Sequence, residues 1–462
     1  MGSVVRIVRI RVATRAGRAA RHAGVCALVC TAVLVAGCTA SSDPADGGGK
    51  GTKAKNGDTA PLTGEAGAAR RPVPLGRGSR LPDDFNGDGH RDLVLNDLVK
   101  APGDSYGDDA GIGIVYGTAA RAGGGKGSGR AATGASGTRA SGAGASGTGA
   151  GVDPAVRQTI GPRTHGARVA GVLPAAFDAE AACDLDQDGF GDLIIATDPP
   201  YDGNGMPPVP LQILFGGPTG LGGRAVVLRI PGKARFGNEW PDHPVCGDFD
   251  GDGKVDLAVT ASAGQVSFLR GPFARTGAPR GASAPIPGGG PVLEAPAPTA
   301  DVDDDGYDDL VYSARARTPG TAAQGKLLLG GPDGPGRPGG PYRFKAVEPP
   351  PAPVLPGAAT GSSGAPSGKG RTVTDLLLSA DFTGDERPDL VTRTHRGEAT
   401  DLIALYASTD AGTTGDGGTT DTTGTAGTSG TAGTSGTADR AGTTGGMTNR
   451  PLITFSTSIF LR

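Results

Sequence analysis

The sequence predicts an all-β fold, a β-propeller of about five four-stranded blades interrupted by disordered low-complexity inserts; six or seven blades are the alternatives. Three observations predict it: an acidic signature recurs five times, short apolar strands follow the copies, and glycine and proline bound those strands. The copies begin at Asp84, Asp184, Asp248, Asp301 and Asp381. A unit of a few short strands cannot bury both its faces alone, whereas radial stacking covers them without long exposed edges.

Two apolar segments are predicted as strands after each of the first four signatures. The first segment of each pair is too short for a helix, and these are residues 93–95, 193–195, 257–259 and 310–312. The second segments, residues 113–117, 212–216, 265–269 and 326–330, alternate or are wholly apolar and often end in glycine. The chain after Asp381 holds one more blade, and we expect residues 452–460 to form a strand that completes this blade and closes the ring.

The acidic signature has the spacing of a cation-binding loop. A tight loop wraps a hard cation with oxygen side chains at positions 1, 3, 5 and 9 and a backbone carbonyl at position 7. The predicted metal ligands are Asp84, Asn86, Asp88, His90 and Asp92; Asp184, Asp186, Asp188, Phe190 and Asp192; Asp248, Asp250, Asp252, Lys254 and Asp256; Asp301, Asp303, Asp305, Tyr307 and Asp309; and Asp381, Thr383, Asp385 and Asp389. The pattern predicts up to five structural Ca²⁺ ions.

The fifth loop is expected to be the weakest cation site. Thr383 replaces a carboxylate or amide ligand, and Glu386 stands where the other four loops have a turn-making glycine. An EF-hand is disfavoured because position 12 never carries the bidentate glutamate. The apolar residues at position 2 are expected to anchor each loop in the core, and these are Phe85, Leu185, Phe249, Val302 and Phe382.

The N-terminus has the order of an export signal. A basic run precedes an apolar stretch at residues 23–37, and the sequence from Leu34 to Cys38 resembles the lipobox of bacterial lipoproteins. The resemblance implies a signal peptide at residues 1–37, lipidation of Cys38 and a lipid anchor on the extracytoplasmic face of the cell membrane. An ordinary secretory signal or an uncleaved anchor are the alternatives. Residues 38–74 are Gly/Ala/Ser/Thr/Lys-rich and are predicted to be a flexible tether to a propeller at residues 75–462.

Two cysteines remain for the folded part, Cys183 and Cys246. Export would permit a disulfide between them. Their positions just before acidic signatures favour neighbouring blades, but alternation of side chains along a strand equally allows them to point apart. The sequence leaves this pairing open.

The signature D-x-[DN]-x-D-G-x-x-D-L resembles the FG-GAP/VCBS repeats of integrin-α-like propellers, over most of residues 75–462. Phe236 and Gly237 resemble the FG element, but residues 260–262 read Thr-Ala-Ser where Gly-Ala-Pro is expected. The Gly-Ala-Pro triplets at Gly277 and Gly364 lie in low-complexity sequence, so the match is to divergent repeats. The resemblance implies structural calcium and a propeller that serves as a binding or adhesion platform.

The sequence favours a surface-tethered, calcium-stabilised binding or adhesion module for a protein or glycan. Tyr201, Trp240 and His243 are candidate contacts, although a lone tryptophan is equally a packing residue. The alternatives are a passive scaffold and an extracytoplasmic carbohydrate-active enzyme, a hydrolase or lyase, that uses paired aspartates. No catalytic motif accompanies them, so we expect no enzyme activity. A formal net charge of −3 argues against a nucleic-acid partner. The inserts at residues 119–151, 349–371 and 408–446 are predicted to be disordered.

Overall fold

The computed structural model describes residues 5–6, 62–64, 69–100, 111–119, 151–169, 177–197, 211–238, 241–355, 371–409, 446–448 and 450–461. All of them belong to one compact unit, residues 1–10 and 61–462. Cys38, most of the predicted signal segment, Tyr201 and Trp240 lie outside the described residues, as does most of each low-complexity insert.

The chain is all-β. Its strands are β1 (Val5–Arg6), β2 (Leu62–Gly64), β3 (Leu93–Leu95), β4 (Ile112–Thr118), β5 (Gly151–Ile160), β6 (Phe177–Cys183), β7 (Asp192–Thr197), β8 (Leu211–Leu214), β9 (Val226–Val227), β10 (Val245–Gly247), β11 (Asp256–Thr260), β12 (Val266–Arg270), β13 (Gly281–Ala282), β14 (Val292–Glu294), β15 (Leu310–Ser313), β16 (Ala323–Leu329), β17 (Arg337–Phe344), β18 (Val373–Ala380), β19 (Asp389–His395), β20 (Asp401–Tyr406), β21 (Ser408–Thr409), β22 (Gly446–Met447) and β23 (Ile453–Phe455). The helical elements are α1 (Pro162–His165), α2 (Gly232–Arg235) and 3₁₀ turns at Ser262–Gly264 and Thr457–Phe460. No helix in the described part of the chain is long and apolar enough to cross a membrane.

The strands form five blades of a propeller, which confirms the predicted architecture. Blade 1 contains β3-β4-β5, blade 2 β1-β6-β7-β8-β9, blade 3 β10-β11-β12-β13, blade 4 β14-β15-β16-β17, and blade 5 β18-β19-β20-β23-β2. Neighbouring strands are antiparallel except β2, which runs parallel to β23. The strands β21 and β22 pair separately where the chain enters and leaves the third insert. Each of the eight segments predicted after the first four signatures overlaps one of these strands, although residues 212–216, 265–269 and 326–330 extend one or two residues beyond β8, β12 and β16.

The hydrophobic core lies between the blades rather than in a single layer. Four clusters join blades 1 and 2, 2 and 3, 3 and 4, and 5 and 1. Blades 2 and 3 are covered on both sides, so all six residues of β7 and all five of β11 are buried. The central strands β15 and β16 of blade 4 are only partly buried. A fifth, smaller cluster of Val311, Leu327 and Phe344 comes from blade 4 alone.

Four of the five predicted loop anchors are buried: Phe85, Leu185, Phe249 and Phe382. Val302 is 40 % exposed, so the prediction for this residue is wrong. The reason lies in the next blade. The carbonyls of Phe85, Leu185 and Phe249 each accept an N–H from the segment that follows the third strand of the neighbouring blade. Among the described residues, Val302 has no such cover from blade 5.

The C-terminus completes blade 5, but its strand is shorter than expected. The strand β23 pairs with β20 and ends at Phe455 instead of continuing to Phe460. The carboxylate of Asp401 accepts hydrogen bonds from Ser456 Oγ, Thr457 N and Thr457 Oγ1 at 2.7–2.9 Å, which stabilises a 3₁₀ turn there. The turn directs Phe460 against blade 1, where a Cβ at Gly113 would lie 2.7 Å from its ring.

The end of the segment predicted as a tether contacts the propeller. Residues 62–64 form β2 on the outer edge of blade 5, where β23 otherwise leaves backbone groups unpaired. Further along, Arg71 N donates to the carbonyl of Ala155 at 2.8 Å. Residues 62–64 and 69–74 therefore lie on the folded unit.

A disulfide joins Cys183 to Cys246, with their Cα atoms 6.5 Å apart, which settles the pairing that the sequence left open. Cys183 ends β6 and Cys246 lies in β10, so the bond connects the first long strand of blade 2 to the first strand of blade 3.

Candidate metal centre

The five acidic loops share one face of the ring. In blades 2 to 5 each loop leads from the first long strand of the blade to the next one, and in blade 1 it leads directly into β3. Because the blades repeat around the ring, the equivalent strand ends fall on the same side.

The carboxylate at position 1 accepts hydrogen bonds from backbone N–H groups of its own loop. In loop 2, Asp184 Oδ1 accepts from Asp188 N at 3.2 Å and Oδ2 accepts from Gly189 N at 2.9 Å. The same bond to the position-6 N–H recurs in every loop, at 2.7–3.0 Å. In loop 5 the donor is Glu386, whose φ of +66° is a left-handed conformation that glycine adopts in the other four loops.

The carboxylate at position 9 ties the loop to two strands. Asp192 is fully buried; its Oδ2 accepts from Leu185 N at 2.9 Å, and its Oδ1 accepts from Gly216 N at 3.0 Å, at the end of β8. Asp92, Asp309 and Asp389 make the equivalent pair of bonds. These aspartates are therefore architectural as well as candidate ligands, which sequence spacing alone did not reveal.

Three loops bring together three carboxylates each, from positions 1, 3 and 9. Within each group one oxygen per residue lies within 4.8 Å of the others, and the groups are Asp184, Asp186 and Asp192; Asp248, Asp250 and Asp256; and Asp301, Asp303 and Asp309. Loops 1 and 5 carry Asn86 and Thr383 at position 3. The position-5 aspartates accept hydrogen bonds from the N–H of position 7 instead, at 3.0–3.2 Å.

Buried oxygens without a hydrogen-bond donor occur at the predicted ligand positions. At position 3 they are Asn86 Oδ1, Asp186 Oδ1, Asp250 Oδ1 and Thr383 Oγ1. Loop 3 adds Asp248 Oδ1 and Asp256 Oδ2. Buried polar atoms almost always have a partner, so this set of unsatisfied oxygens is suited to a cation. The donors are all oxygen, which fits a hard cation such as Ca²⁺ rather than a metal that prefers nitrogen or sulfur.

Residues 245–269 match the family model of the FG-GAP repeat. They comprise β10, loop 3, β11 and most of β12, so the match coincides with one acidic loop and the strands on either side. The chain is a five-bladed β-propeller whose third blade is similar to an FG-GAP repeat. A search of curated proteins finds no match to it.

Burial raises the pKa of the carboxylates in the acidic loops. Desolvation, followed by repulsion from neighbouring carboxylates, raises the pKa of Asp184 to about 6 and that of Asp256 to about 7, although backbone hydrogen bonds act in the opposite direction. Desolvation also raises the pKa of Asp92 and Asp192 well above the usual range. Without a cation, ionising these groups costs folding free energy.

Neighbouring acidic loops are hydrogen-bonded to each other in pairs. Gly191 N in loop 2 donates to Asp84 O in loop 1 at 2.8 Å. In the second pair, Asp308 N donates to Asp248 O at 3.0 Å, and Asp248 N donates to Asp308 Oδ2 at 2.8 Å. The aromatic residues at position 7 of loops 2 and 4 also cover the preceding loop: a Cβ at Gly87 would lie 2.6 Å from the Phe190 ring, and a Cβ at Gly251 would lie 2.6 Å from the Tyr307 ring.

Sequence reasoning missed a set of arginines that contact the acidic loops. Arg275 binds both Asp186 and Asp188 in loop 2. In loop 3, Arg270 and Arg280 bind Asp250 and Asp252, and in loop 4, Arg337 binds Asp303 and Asp305. These arginines stand at no fixed distance from their loops in sequence, so no periodic signal was available to predict them.

A second cluster of ionisable groups lies away from the acidic loops. Glu180, Asp242 and His243 bring a ligand atom each within 4.8 Å of one another. Asp242 and His243 precede β10, and His243 has a left-handed φ of +52°. Of the three contacts suggested by sequence, His243 is the one that the structure describes, and it lies toward the strand ends opposite the acidic loops.

Proposed function

We propose that this propeller binds calcium in its acidic loops and serves as a rigid binding or adhesion module for a protein or glycan. The unsatisfied buried oxygens at position 3 carry the calcium part of the proposal, because a hydrogen-bonded turn would not leave the same atom without a donor in four loops. Asp84, Asp184, Asp248, Asp301 and Asp381 would each supply the first ligand.

Calcium would act here as a folding ligand. The loops join the first long strand to the second in four of the blades, and neighbouring loops are hydrogen-bonded to each other, so a bound ion would fix both a blade and its neighbour. Each site that binds only the folded state adds about 3 kcal/mol to the free energy of unfolding when calcium is at one hundred times its dissociation constant.

The test is calcium titration by calorimetry of the full chain, together with thermal unfolding in calcium and in excess EGTA. We expect several bound ions and a large calcium-dependent rise in melting temperature. A matched variant carrying D186N, D250N and D303N keeps the loop shape but removes a negative charge from three sites, so it should bind calcium more weakly at those three sites. Absence of calcium binding by the wild-type chain would refute the proposal.

We propose that the ligand binds the face opposite the acidic loops, because the loop carboxylates are engaged by backbone N–H groups and arginines. Binding of the calcium-loaded chain to a glycan array and to membrane proteins should fall in EGTA. Polysaccharide turnover that is lost on mutation of an acid outside the loops, such as Glu180→Gln, would instead favour the alternative of a carbohydrate-active enzyme.

The membrane anchor is a separate part of the proposal and rests on Cys38 and the apolar segment before it. Lipidation at this cysteine would hold the propeller at the extracytoplasmic face of the cell membrane. Incorporation of a labelled fatty acid into the wild-type chain, but not into Cys38→Ala, is the expected result. Equal labelling of both chains would exclude this site.

A further inference from the structure

We propose that Arg275 is a positioning residue for calcium in loop 2: it holds the outer oxygen of Asp186 so that the inner oxygen points toward the ion. The inference rests on the calcium binding proposed above and adds a specific requirement. The arginine belongs to blade 3 and the loop to blade 2, so the affinity of this site would depend on the contact between the two blades.

The geometry at Asp186 separates its two oxygens. Arg275 Nε lies 2.7 Å from Oδ2, whereas Oδ1 is buried and has no hydrogen-bond donor. The Asp186 side chain is only 8 % exposed, whereas the Arg275 side chain is 57 % exposed, so the carboxylate is the shielded partner. A planar guanidinium that also binds Asp188 fixes the carboxylate plane more firmly than a single-point contact would.

Arg275 is itself held in position by the segment that carries it. Two residues earlier, Phe273 is buried, and its N–H donates to Leu185 O in loop 2 at 2.7 Å. The guanidinium carbon of Arg275 lies 5.1 Å from the centre of the Phe215 ring, in cation–π contact. Backbone, aromatic and carboxylate contacts therefore all fix the arginine against blade 2.

Loop 3 repeats the arrangement with a different arginine. Arg270 Nε lies 2.8 Å from Asp250 Oδ2, and Asp250 Oδ1 is again buried without a donor. Arg270 belongs to the same blade as its loop, so the shared feature is the contact with position 3 and not the connection between blades. In loop 4 the contact is looser: Arg337 lies 3.5 Å from Asp303, whose side chain is 37 % exposed.

An opposite effect of these arginines is also physically reasonable. A positive charge beside a cation site opposes binding, so an arginine that acted only through its charge would weaken the calcium site and its removal would raise the affinity. The positioning role predicts a loss of affinity instead. The sign of the change therefore decides between the two roles.

The experiment compares calcium titrations of the full-length wild-type chain, Arg275→Ala and Arg275→Lys. A group that orients a metal ligand typically contributes 10- to 100-fold to affinity. We expect Arg275→Ala to weaken one site by about tenfold or more and to leave the other sites unchanged, and Arg275→Lys to recover part of the loss. Unchanged or tighter binding by Arg275→Ala would overturn the inference.

Arg387→Ala is the matched control. It removes the same charge beside loop 5, where Arg387 lies 3.9 Å from the position-5 carboxylate of Asp385 and position 3 is the uncharged Thr383. Its effect on affinity should be small or slightly favourable. If Arg275→Ala does not fold in EGTA, Arg270→Ala on loop 3 provides the same comparison. A wild-type chain that binds no calcium refutes the proposed function itself, which is a different outcome from equal binding by wild type and variant.

Discussion

Replacing Asp192 with alanine should destabilise the propeller even when no calcium is present. The substitution leaves the N–H groups of Leu185 and Gly216 without acceptors in a fully buried site. Each unsatisfied buried group costs about 1–3 kcal/mol. Because burial raises the pKa of Asp192, removing its charge recovers part of this cost, and we expect a net loss of about 2–3 kcal/mol.

The matched variant in the same loop is Asp186→Asn. Asp186 Oδ1 has no donor, and Oδ2 is paired with Arg275, which also binds Asp188 and is more than half exposed. An amide of the same shape weakens this ion pair but leaves Arg275 its second partner, so in EGTA the variant should lose little stability. Its main defect should appear with calcium, as a smaller stabilisation.

Urea unfolding of the full chain, in EGTA and in calcium, measures both effects as shifts of the transition midpoint. Two results would refute the reasoning. The first is a wild-type midpoint for Asp192→Ala in EGTA. The second is an equal loss for Asp186→Asn in EGTA, which would show that position 3 supports the fold without a cation.

Three further predictions concern the same unit. Reducing the Cys183–Cys246 bond, which spans a sequence separation of 63 residues, should lower the free energy of unfolding by about 4 kcal/mol in urea unfolding; no change would contradict a role in stability. Glu386→Gly should raise the melting temperature through a gain of about 0.5–1 kcal/mol, because it relieves a left-handed φ; a lower melting temperature would argue against strain there. In EGTA, the free energy of unfolding should fall as pH rises from about 4 to 7. Folded Asp184 and Asp256 have pKa values of about 6 and about 7, above the unfolded value of about 4, so in this range the folded chain binds protons that the unfolded chain has lost. Thermal unfolding at several pH values measures this slope, and a rise in melting temperature with pH would contradict it.

The blades and the loops were predictable from the sequence because they depend on local spacing. The acidic signature and the apolar segment after it lie within about a dozen residues of each other, so Asp184 and the strand β7 were found together. The same locality explains why loop 5 was recognised as different: Glu386 departs from glycine at a position that all five loops hold in a left-handed conformation.

The contacts between blades were not predictable, because they join residues far apart in the chain. Arg275 lies in the blade that follows Asp186 in the chain, and the sequence contains no pattern that pairs the two residues. Val302 is likewise exposed because no described segment of blade 5 covers it, and the sequence of its own loop does not show this. The strand β23 ends early because Thr457 is bonded to Asp401, which lies 56 residues earlier in the chain. The sequence around Thr457 does not show this contact.

The closing turn also determines the order in which the molecule can fold during synthesis. Thr457 Oγ1 accepts from Val99 N, and Arg157 Nε donates to Ile459 O, so blade 1 is bonded to residues about 300 to 360 positions further along. A chain made from its N-terminus forms the long strands of blades 2, 3 and 4 from consecutive residues, but these two bonds to blade 1 cannot form until Thr457 and Ile459 have been made. Loss of a short C-terminal segment would therefore leave a nearly complete, unclosed ring that exposes two apolar blade surfaces, a species prone to aggregation.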